Sequence, residues 1–203
     1  MRAFTLAHFA RSKRFGVAFA SVFTCVAALS GSAHAEDAAA CKALADAMIA
    51  NLKTPYHSYA TITFVYAATV DEARRKMKLP NEQASETIFT GQAAFFRLLP
   101  RKWQPLPGSL AQFQDSVRDS VADLKNCAHL SDDTVNGEKA SVYVGTSTPQ
   151  NHVVQTKVWV SAKGVPARTE TDIEIGHTPG GDMIHQHIST RYEYGAIQAP
   201  SLN

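Results

Sequence analysis

GDMIHQHISTRYEYG, residues 181–195, decides the architecture. On a β-strand, alternate side chains point to opposite faces. Met183, His185, His187, Ser189, Arg191 and Glu193 then share one face, and Ile184, Gln186, Ile188, Thr190, Tyr192 and Tyr194 share the other. The second set is the more apolar, so the stretch reads as a half-buried strand of an antiparallel sheet. Two histidines two apart can chelate zinc or copper, with His177 across the turn as a third ligand. Here they share a face with Arg191 and Glu193, which marks that face as solvated. Neither an HExxH nor a clustered Cys/His motif is present, and the expectation is no metal and no cofactor.

Working outward from this strand, residues 168–175, 153–162 and 140–146 carry further strand patterns. They are punctuated by turns at Pro179-Gly180-Gly181, Lys163-Gly164-Val165-Pro166 and Asn136-Gly137. Residues 109–126 switch to helical period, with Leu110, Phe113, Val117, Val121 and Leu124 on one stripe and Cys127 at the end. Before that helix, 86–90 and 94–99 read as a hairpin turning at Gly91-Gln92. Residues 56–67 form a long strand in which Ala60, Ile62, Phe64 and Tyr66 alternate with Tyr59, Thr61, Thr63 and Val65. The charged run 71–78 is a solvated turn or short helix. Residues 37–53 form the first helix, capped by Asp37 and stopped by Thr54-Pro55, with Cys41 facing inward. Six or seven strands in hairpin order with two helices predict an α+β domain.

The chain's start has a different character. Arg2, Arg11, Lys13 and Arg14 precede an apolar run, 15–29, and then Ala33-His34-Ala35. This is the pattern of a cleaved secretory signal over residues 1–35, leaving 36–203 as a single domain. The apolar run is shorter than the ~20 residues of a comfortable membrane span, and bulky Val22-Phe23-Thr24 before Cys25 argues against a lipid anchor. Removing the signal leaves sixteen basic and eighteen acidic residues. A nearly neutral surface does not suit nucleic acid. Cys41 and Cys127 remain, an even pair in an oxidising compartment. A disulfide between them is expected, against the alternative of two unpaired buried thiols. The expected location is periplasmic, or secreted, by Gram-negative-type export, and the expected state a soluble monomer.

Signatures of catalysis are missing from the sequence. There is no GxSxG elbow, no P-loop and no glycine-rich dinucleotide turn. Glu170, Asp172 and Glu174 alternate along one strand, the usual mark of an exposed face. The protein is expected not to be an enzyme.

Two segments carry a family likeness: SETIFTGQAAFFRLLPRKWQPLPG (85–108), and KVWVSAKGVPARTETDIEIG (157–176) followed by TRYEYGAIQAP (190–200). They resemble the LolA/LolB-like superfamily of periplasmic lipoprotein carriers, which includes uncharacterised secreted bacterial members. Trp159, Gly164, Pro166 and Arg168 match the family's W…G-x-P-x-R hairpin, and Arg191 to Gly195 with Pro200 its closing strand. The chain lacks a counterpart of the family's R-P-x-x-F-R-W-type strand and of the arginine near the cavity, and paired cysteines are not general there.

The resemblance implies a curved antiparallel half-barrel with two main helices packed in or over its concave face. It also implies non-enzymatic carriage or binding of an apolar small molecule, lipid or acylated protein. An incomplete barrel cannot fill its own concavity. The candidates for lining it are Phe64, Tyr66, Ile88, Phe96, Trp159, Ile188 and Tyr192. The alternative function is an envelope protein–protein interaction module with a filled core and no ligand.

Overall fold

The opening stretch does form a strand, β9 (Met183–Tyr194), and it lies near the middle of a sheet. The computed structural model describes residues 37–65, 81–149, 152–177 and 183–202. The expected signal with Cys25, Tyr66, the 71–80 connection and the Pro179-Gly180-Gly181 turn fall outside these residues. The strands before β9 are β1 (Tyr56–Val65), β2 (Glu82–Phe89), β3 (Ala94–Leu98), β4 (Gln104–Pro105), β5 (Lys125–Val135), β6 (Glu138–Ser147), β7 (Val154–Ser161) and β8 (Pro166–His177). Among the described residues these nine strands make one antiparallel sheet in the order β4-β3-β2-β1-β9-β8-β7-β6-β5. The sheet does not close, leaving a curved half-barrel with β4 and β5 at its edges. With helices α1 (Ala38–Asn51) and α2 (Leu110–Ala122) this is the expected α+β class. All these elements belong to one unit, residues 34–203.

The chain order explains the strand order. β1–β4 run as one meander and β5–β9 as another. The two join where β1 meets β9, from Tyr56↔Tyr194 to Val65↔His185. β2 begins at Glu82, earlier than the hairpin signal at 86–90, because Glu82–Glu86 continue the ladder against Thr63–Tyr59. Nothing β-branched in 82–86 announces this.

Asp37 caps α1, its Oδ1 accepting from Ala39 N at 2.9 Å and Ala40 N at 3.2 Å. The inner face of α1 buries Ala40, Leu44 and Ala47, chiefly over β5–β8. The approach is close. A Cβ built on Gly145 of β6 would lie 2.8 Å from Leu44 Cδ2 and 3.2 Å from Cys127 Sγ, so any larger residue there would have to displace the Leu44 side chain.

The second helix is shorter than its period suggested. A capping box starts it: Gln112 N donates to Ser109 Oγ at 3.1 Å, and Ser109 N donates to Gln112 Oε1 at 2.9 Å. It ends at Ala122. Asp123 turns the chain by accepting from Thr148 N and Oγ1, both at 2.6 Å, and Asn126 takes a left-handed φ of 52°.

Cys127 therefore belongs to β5, not to the end of the helix. Little in the residue pattern announces β5, because an edge strand need bury only part of each face. Most of Leu130–Thr134 is exposed, and two shifts of register against β6 blur its alternation. Cys41 and Cys127 nonetheless form the expected disulfide, with Cα atoms 5.0 Å apart. No described helix is long and apolar enough to cross a membrane.

Candidate functional site

Directly paired residues of an antiparallel sheet point the same way, so the register separates the two faces. One transverse row runs Tyr143, Val158, Thr169, Thr190, Ala60, Ser85, Leu98 across β6-β7-β8-β9-β1-β2-β3. Val158 packs with Ala40 and Leu44 of α1, so this row marks the helix-covered, concave face. The neighbouring row on the other face runs Val142, Trp159, Arg168, Arg191, Tyr59, Glu86, Arg97 over the same strands. Polarity is sorted cleanly between the two.

The proposed lining residues fall on both faces. Phe64, Ile188, Tyr192 and Phe96 lie on the concave face, with register partners Gln186, Ile62, Ser58 and Thr87. Ile88 and Trp159 lie on the convex face. Ile88 sits beside Phe89, and it is Phe89 that turns inward, beside Tyr56 with ring centroids 5.5 Å apart. Trp159 stands between Val158 and Val160, and Val158 takes the core position under α1. The indole instead packs on Ala140 and Val142, donates to Asp133 Oδ2 at 2.9 Å, and carries Lys157 and Arg168 at 4.4 and 4.8 Å from its ring. Ile62 and Leu98 join the concave set. Ile62 was legible in the alternation of β1.

Cover on the concave face is uneven. Under α1, Leu44, Cys127 and Val158 are at most 1% exposed. Over β1, β2, β3 and β9, Tyr56 and Phe89 are buried, but Ile62, Phe64, Phe96, Leu98, Ile188 and Tyr192 are only half-buried. Nor does α2 bury a single residue fully, its stripe of Leu110, Phe113, Val117 and Val121 remaining half-buried. Between α1 and β5–β7 a groove of about 450 Å³ opens over Ala43, Ala47, Tyr143 and Val160, and its lining includes the charged Asp46, Asp132 and Lys139. Mid-sheet, where β1 meets β9, Tyr56, Tyr192 and Tyr194 form an aromatic cluster. Tyr194 OH lies 2.6 Å from the Pro166 carbonyl oxygen, to which it donates, and 3.0 Å from Asn51 Oδ1. Burial raises the phenol pKa of all three above the usual value, which keeps them neutral.

The convex face is a charge network. Arg97 Nη2 lies 2.9 Å from both carboxylate oxygens of Glu86, which is 8% exposed. His57 Nε2 sits 2.9 Å from Glu86 Oε2, and Tyr59 OH lies 3.1 Å from His57 Nδ1. Arg191 stacks 4.7 Å over the Tyr59 ring. His187 pairs with Asp172 at 2.8 Å, and His185 is exposed. Among the described residues no group of three His, Cys, Asp or Glu side chains is placed to hold a metal ion. The side chain of His177 lies outside the description.

The chain matches no known family's sequence profile and no curated protein. Similar solved structures include the Mycobacterium tuberculosis lipoprotein LppX, with 11% identity, TM-score 0.44, and 82% of this chain aligned to 100% of that one. LprF from Mycobacterium bovis aligns at 11% identity and TM-score 0.39, over 82% of this chain and 97% of that one. The Pseudomonas aeruginosa MucA/MucB complex aligns at 12% identity and TM-score 0.35, over 81% of this chain and 59% of that one.

Proposed function

We propose that this chain is a non-enzymatic binding protein that works outside the cytoplasm. It holds an apolar ligand, such as a lipid or the acyl chain of a lipoprotein, against the concave face of its half-barrel. The observation that carries this reading is the uneven cover just described. Half the face is sealed by α1, while Ile62, Phe64, Phe96 and Ile188 on the other half, and the stripe of α2, are only half-buried. Apolar surface left partly open on one concave side is what an apolar ligand covers. The secretory pattern of residues 1–35 and the Cys41–Cys127 disulfide support an oxidising compartment.

The test uses purified protein from residue 36 onward and a neutral, environment-sensitive dye. The dye should bind at about one site and be displaced by a monoacylglycerol. Phe64→Ala and Ile188→Ala should weaken dye binding more than they lower the unfolding midpoint. Absence of any dye or lipid binding up to about 50 µM, equivalent to ~6 kcal/mol, would sink the proposal. The alternative is a module whose sheet pairs with another envelope protein through the outer edge of β5. The two register shifts and the exposed Asp132 and Asp133 on that strand are features that discourage strand addition.

A further inference from the structure

We infer that the ligand held on the concave face is a neutral acyl ester or amide, and that the face selects against the same chain ending in an ionised carboxylate. This rests on the binding reading above and adds its chemical class.

The sheet sorts charge by face. On β1, β2, β3, β7, β8 and β9, every charged or histidine side chain among those described falls on the convex face. Arg168, Arg191, Glu86 and Arg97 share one row with Tyr59. Lys157 pairs with Glu170, Asp172 with His187, and Glu174 with His185. His57 and Glu193 pair with each other, and Glu82 pairs with Thr63, whose other partner is His187.

The concave face of these six strands carries none among the described side chains. Its centre is small and hydroxylic: Ser58, Ala60, Ser85, Thr87, Thr169 and Thr190. Around this patch stand Ile62, Phe64, Phe96, Leu98 and Ile188, and the tyrosine cluster closes one end. The Tyr192 and Thr169 hydroxyls already lie 3.4 Å apart.

Such a surface offers van der Waals contact and neutral hydrogen-bond donors, but no cation. An ester or amide carbonyl accepts from a hydroxyl at little cost. A carboxylate brought to the same depth loses its hydration with no charge to replace it. It must either stay outside, giving up contact along the chain, or take up a proton. Discrimination of this kind, in which a group of the wrong charge is left unpaired, is stronger than discrimination by one methylene more or less.

The experiment compares monolauroylglycerol with laurate as displacers of a bound neutral dye at pH 8. The two share a twelve-carbon acyl chain and differ in the head. The ester should displace dye at a concentration at least ~10-fold below that of laurate, and the gap should shrink as the pH is lowered towards 5 and laurate protonates. Thr190→Lys, which puts a cation on the concave face, should narrow the gap, whereas Thr63→Lys on the convex face should leave it unchanged. Where Thr190→Lys does not fold, the wild-type comparison decides alone. Equal displacement at pH 8, or tighter laurate, overturns the inference while the binding reading stands. Failure of both to displace dye, or of the dye to bind, removes the binding reading and this inference together.

Discussion

The Trp159 indole packs on Ala140 and Val142 and donates to Asp133 Oδ2 at 2.9 Å. Its bulk suggests a cavity wall, yet its place between Val158 and Val160 sends it to the convex side, where it is 3% exposed. Burial there comes from Ala140, Val142 and the stems of Lys157 and Arg168. Trp159→Ala should thus cost ~3–5 kcal/mol of stability, measured by urea unfolding, and leave the dye affinity of the remaining folded protein unchanged. Affinity that falls in step with Phe64→Ala would put the indole back on the ligand side. The tyrosines give a second prediction. Burial raises the phenol pKa of Tyr56, Tyr192 and Tyr194 in the folded state. Their contribution to stability is therefore complete below the unfolded value of ~10 and is lost as the pH climbs above it. Absorbance at 295 nm should show these three ionising only together with loss of near-UV circular dichroism, while Tyr59, half-buried on the convex face, ionises with the fold intact. A single titration step near pH ~10 in a folded protein would contradict the packing.

Among the elements, the first helix and the long strands announce themselves, and β5 does not. The period of 37–53 and the alternation of 56–67 and 183–194 are strong because each buries one continuous face. β5 hides because it is an edge, bulged and largely solvated, so that burial imposes little pattern on residues 130–134. Its one deeply buried side chain near α1 is Cys127, and through it the outermost strand is tied to the first helix. The bond spans 86 residues, for which loop-closure entropy gives roughly 4–5 kcal/mol. Cys41→Ser with Cys127→Ser should lower the unfolding free energy by about that amount, less any strain relieved. Because Leu44 and Val158 remain packed, the far-UV spectrum of the double variant should stay native under mild conditions. A change below ~1 kcal/mol would mean that the helix is held by packing alone.

For the whole molecule, the sorting of charge to one side of β1–β3 and β7–β9 is the property most easily read in advance. It follows from alternation alone, as in Arg191 and Glu193 against Tyr192 and Tyr194. What sequence could not supply was the cover. Whether Phe64 or Ile188 lies under a helix depends on where α1 crosses the sheet, and that is fixed by Gly145 and Cys127, far away in the chain. Adjacent apolar pairs such as Ile88-Phe89 likewise leave the face undecided until the register with β1 is known.

The meeting of β1 with β9 makes the protein divisible. Each meander is sequence-local, but they share a ladder between residues near 60 and residues near 190, the costliest kind of contact to form early. A chain emerging N-terminus first would have completed β1–β4 while the partner strand for β1 was still to come. Cutting at Gly108 separates the meanders without breaking any strand. The fragments 37–107 and 108–203 should each lack cooperative unfolding alone, since α1 and its bed on β5–β8 then lie on different molecules. Mixed under oxidising conditions, they should reassemble as a one-to-one complex linked through Cys41 and Cys127. Independent folding of either piece would show that the halves were never mutually dependent.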